Sequence, residues 1–95
     1  MNKFTLLFVL PPGTKYKEIA VAIFYHLGVC AYDVTERNGQ LFMVVQYQTL
    51  NDPTELGIDV NNVGLPEGGE WFYFHGFIET GEAVLRFLDP NHIPV

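Results

Sequence analysis

The sequence predicts an α+β fold, a four-stranded and mainly antiparallel sheet with helices on one face, in the order β-α-β-β-short α-β-α of a ferredoxin-like variant. Three observations predict it. An apolar run is followed by a segment with helical spacing, an Asn-Gly pair joins two alternating segments, and a ring-rich stretch precedes a second amphipathic one. At 95 residues and 48% apolar, the chain is expected to form a single domain over residues 1–95, able to bury its own core.

The opening run KFTLLFVL is apolar throughout and rich in strand formers, which suits a central strand covered on both sides. A lysine ahead of an apolar run also suits a secretory signal. The run is short, however, and no small-residue cleavage site follows it, so it is read as a strand. Next, Tyr16, Ile19, Ala20, Ile23, Phe24 and Leu27 repeat at helical spacing. The predicted helix covers about 15–27, with Thr14 as N-cap and Gly28 closing it.

VCAYDVTE and QLFMVVQYQ flank Asn38-Gly39, the residues of a two-residue type I′ hairpin turn. Taking those two as the loop pairs Arg37 with Gln40, Thr35 with Phe42, Val34 with Met43, Asp33 with Val44 and Tyr32 with Val45. One face of the hairpin then carries Cys30, Tyr32, Val34, Met43, Val45 and Tyr47 as core. The other, mixed face carries Ala31, Asp33, Thr35, Phe42, Val44, Gln46 and Gln48.

Residues 49–69 are dense in Gly, Pro, Asn and Asp and read as a loop. Within it, Asp52, Pro53 and Glu55 form a capping signature for a short helix ended by Gly57. EWFYFHGFI is the fourth strand, and GEAVLRFL behind Thr80 is a closing helix. Alternation divides the fourth strand into Phe72, Phe74 and Ile78, expected against the helices, and Trp71, Tyr73, His75 and Phe77, expected on an open face. With Phe42, Gln46 and Gln48 beside them, these last four form a candidate homodimer or ligand face. The rival expectation is that the terminal helix or the long loop folds over that face as a second small core.

Charge is asymmetric. The net charge is −6, and eight of the eleven carboxylates fall in residues 48–95, against Arg86 as the only cation there. Asp52, Glu55, Asp59, Glu67, Glu70, Glu79 and Glu82 bracket the ring-bearing strand and are the candidate partner-binding residues. Such a field repels nucleic acid directly and steers basic surfaces inward.

No phosphate loop or dinucleotide fingerprint occurs, and neither a metal nor another cofactor is expected. The single cysteine, Cys30, excludes an intramolecular disulfide and suits a reducing cytoplasm; it is read as a buried thiol. No segment reaches the ~20 apolar residues of a spanning helix, so no membrane association is expected. The leading expectation is a small acidic interaction module, an inhibitor or regulator that occupies a basic site on another protein, by nucleic-acid mimicry in one version. The alternatives are a small-molecule binding or sensor module using the aromatic strand and the 49–69 loop, and a small enzyme using His75 beside Asp33. Catalysis is not the expected role.

Overall fold

A computed structural model describes residues 2–28, 31–50, 52–89 and 91. Along the chain run β1 (Asn2–Leu10), α1 (Tyr16–Leu27), β2 (Ala31–Arg37), β3 (Gln40–Thr49), α2 (Pro53–Val63), β4 (Glu70–His75) and α3 (Thr80–Leu88). The strands form one open sheet in the order β2-β3-β1-β4, with every neighbouring pair antiparallel. This is an α+β fold with ferredoxin-like strand order.

The hairpin has the expected register, Arg37 opposite Gln40 through Tyr32 opposite Val45. Asn38 and Gly39 take positive φ, 55° and 78°, the backbone that a type I′ turn requires and that these residues tolerate. β1 is central, bonded to β3 on one side and β4 on the other. Its residues from Phe4 to Leu10 are all buried, as a continuous apolar run covered on both faces must be.

One correction to the expected architecture concerns the helices, which cover both faces of the sheet. On the first face, Phe4, Leu6, Phe8, Met43 and Val45 pack with Ile19, Ile23 and Leu27 of α1 and with Leu56, Val60 and Val63 of α2. On the second, Leu7, Val9, Phe42 and Val44 pack under Ala83 and Val84 of α3, with Phe74, Ile78 and Phe87 around them. The closing helix therefore builds a second core on the face expected to be open. This accounts for large rings on both sides of β4.

Three local expectations also change. Thr14 does not cap α1; Lys15 occupies that position without a side-chain bond. The Thr14 hydroxyl instead donates to the Pro11 carbonyl at 2.7 Å, closing the Pro11–Thr14 turn. Phe24 is 61% exposed rather than core, because it sits 100° around the helix from Ile23 and falls off the buried stripe. Cys30 lies outside the described residues.

The third change is the length of α2. Asp52 caps it as expected, accepting from the Glu55 N–H at 3.0 Å, but the helix passes Gly57 and ends only at Val63, where Gly64 adopts the left-handed conformation. Burial of Leu56, Val60 and Val63 along one face outweighs the ~1 kcal/mol that an interior glycine costs a helix. A Cβ at Gly57 would meet nothing within 4 Å. Gly57→Ala should therefore stabilise the protein by about 0.5–1 kcal/mol, read as a raised urea midpoint with an unchanged slope.

Candidate functional site

The end of β4 is held by a threonine. The Thr5 hydroxyl, fully buried within the apolar β1, donates to the Gly76 carbonyl at 2.8 Å and accepts from the Ile78 N–H at 2.8 Å. The Gly76 N–H in turn donates to the Lys3 carbonyl at 2.8 Å. Gly76 has φ +82°, a conformation glycine adopts freely, and here the strand stops. Phe77 and Ile78, expected within the strand, lie past this bend. It carries the chain over to the second face, where the Thr80 hydroxyl donates to Asp33 Oδ2 at 3.0 Å and fixes the start of α3 to β2.

Register then decides which rings share a face. Phe8 stands opposite both Met43 and Trp71, and Leu7 opposite both Val44 and Phe72. Trp71, Tyr73 and His75 thus share the first face, where Tyr73 stacks edge-on against Phe4 at 5.9 Å and His75 lies 5.5 Å from Phe4. Trp71 packs against the first core. Phe42, Gln46 and Gln48 belong to the second face, so the combined face expected from the sequence is not assembled. The reason is topological: β4 pairs with β1 rather than with the hairpin.

The same geometry separates His75 from Asp33. They occupy opposite edge strands, about 14 Å apart across the sheet at ~4.8 Å per strand, are offset further along the strands, and lie on opposite faces of the sheet. Asp33 is occupied by the Val34 N–H and the Thr80 hydroxyl. The proposed acid-base pair is not formed.

β4 is an edge strand without a fully buried residue; Phe72 is 40% and Tyr73 39% exposed, and Phe77 just beyond is 46% exposed with Lys3 Nζ 5.5 Å above its ring. Of the candidate carboxylates, Glu67 and Glu70 lie at the entry to β4, and Glu79 and Glu82 follow it around the start of α3. Asp52, Glu55 and Asp59 belong to α2, on the first face, with Asp52 engaged as its cap. Of the seven carboxylates, three therefore belong to α2 and its cap and four bracket β4.

Two features were missed in the sequence. On the second face, α3 lies against β1, β2 and β3. Beside it runs a groove of about 680 Å³ lined by Leu7, Phe72, Phe74, Arg86 and Phe87, with Trp71 and Tyr73 at its border. Helical spacing places Phe87 one residue beyond Arg86, but only the sidedness of α3 shows that both meet β4. The second feature is Val21, Phe24 and Tyr25, exposed together on the outer side of α1. Their spacing, opposite the Ile19-Ile23-Leu27 stripe, was a readable signal. Among the described residues, no helix is long and apolar enough to cross a membrane. Comparison with known protein families and with curated protein sequences yields no match.

Proposed function

We propose that this protein is a small acidic interaction module, an inhibitor or regulator working in the cytoplasm, that docks on a basic protein surface through β4. The observation that carries this reading is the β4 edge itself. Glu70–His75 reads EWFYFH and holds neither proline nor lysine, two of the devices that keep edge strands from pairing. Exposed rings at its centre and carboxylates at its ends have the anatomy of an interface with an aromatic core and a charged rim. A partner adding a strand here would satisfy the free backbone groups and place its cations against Glu67, Glu70 and Glu79.

The test is affinity capture from the native host, with wild type compared with a Glu67→Lys, Glu70→Lys, Glu79→Lys variant and with a Glu55→Lys, Asp59→Lys control on α2. A partner lost from the first variant and at high salt, yet kept by the control, supports the reading. Capture indifferent to salt and to the β4 reversal refutes it. Sedimentation of the purified protein separates the second occupant: a salt-insensitive dimer abolished by Tyr73→Lys assigns the edge to a second copy of the chain.

A further inference from the structure

The groove between α3 and β4 goes beyond the interaction reading, because its chemistry is that of a small-molecule site. Its walls are Leu7, Phe72, Phe74 and Phe87, and Phe72 and Phe87 stand 5.4 Å apart. Its volume, about 680 Å³, is in the range of ligand pockets, ~300–1,000 Å³. Arg86 is the only lysine or arginine after Arg37, and it lies in this groove. Its guanidinium stacks 5.4 Å above the Phe74 ring, and its Nε is buried with no hydrogen-bond acceptor. A buried donor without an acceptor is unfavourable, and a cation among rings invites an anion.

We propose that this groove binds an apolar carboxylic acid, with the carboxylate on the Arg86 guanidinium and the apolar body against Phe72 and Phe87. A guanidinium presents parallel N–H donors that match a carboxylate, and Arg86 brings this group to the groove wall. The apolar body is required. A protein of net charge −6 disfavours small anions at long range, so burial of the ligand's hydrocarbon must supply the affinity.

The experiment titrates the full chain with 1-naphthoate, its neutral counterpart 1-naphthalenemethanol, and acetate, following binding by isothermal titration calorimetry. Naphthoate should bind about tenfold or more tighter than the alcohol, and acetate not measurably. Arg86→Met should erase the difference between acid and alcohol while leaving alcohol binding and the far-ultraviolet spectrum unchanged. Phe72→Ser, at an exposed position, should weaken both aromatic probes together, and it tests the groove even if Arg86→Met does not fold. Equal affinity for acid and alcohol in the wild type, or an acid preference that survives Arg86→Met, overturns the proposal. So does the absence of binding by either aromatic probe. Each outcome is read without a protein partner, so it is independent of docking at the β4 edge.

Discussion

Phe42→Ala should cost about 3–5 kcal/mol in equilibrium urea unfolding. The side chain is fully buried on the second face, and its ring meets Phe87 of α3 edge-on at 5.7 Å. Truncation removes the apolar transfer energy and leaves a cavity that β3 and α3 cannot close without moving. Domains of this size hold roughly 0.05–0.15 kcal/mol per residue in total, so the loss is a large share of the margin. The result also discriminates between architectures. On an open sheet face the same truncation would cost well under 1 kcal/mol, and such a small effect would mean that α3 does not cover Phe42.

Thr5→Val should cost about 2–4 kcal/mol, even though valine is nearly isosteric with threonine and suits a strand better. Removing the hydroxyl leaves the Gly76 carbonyl without its donor and the Ile78 N–H without its acceptor, around a fully buried residue. Thr5→Ser, which keeps the oxygen and loses one methyl, should cost about 1 kcal/mol. A valine variant as stable as wild type, measured by the same unfolding assay, would show that the two bonds contribute nothing net.

These expectations turn on what was legible in the sequence. Asn38-Gly39 specified the hairpin and its full register because a two-residue turn leaves the strands no freedom to slip. The buried stripe of α1 was legible for a similar reason, local periodicity, although the same spacing places Phe24 off it. In α2 the Leu56-Val60-Val63 spacing was present but was masked by Gly57, Asn61, Asn62 and Gly64, whose turn propensity yields to burial. The face of α3 was not legible, since it depends on a bond between Thr5 and Gly76, 71 residues apart, which no local pattern encodes. That error propagated to the candidate site. Trp71, Tyr73 and His75 do share a face, but their neighbours are Phe4 and the first core, and the carboxylates around them divide between α2 and the two ends of β4.

The central position of β1 has a consequence for how the chain comes together in time. Of the four strands, β1 comes before the others in chain order, yet it is flanked by β3 and by β4, the last of them. The β2–β3 hairpin closes a loop of two residues and can form early, whereas pairing β1 with β4 closes the longest loop of the three strand pairings, the slow class of event in folding. Until then, a nascent strand reading KFTLLFVL has an uncovered edge, and α3 has no second core to dock on. Lys3 and the two prolines after Leu10 flank this apolar run and act as gatekeepers against pairing with other chains during that interval.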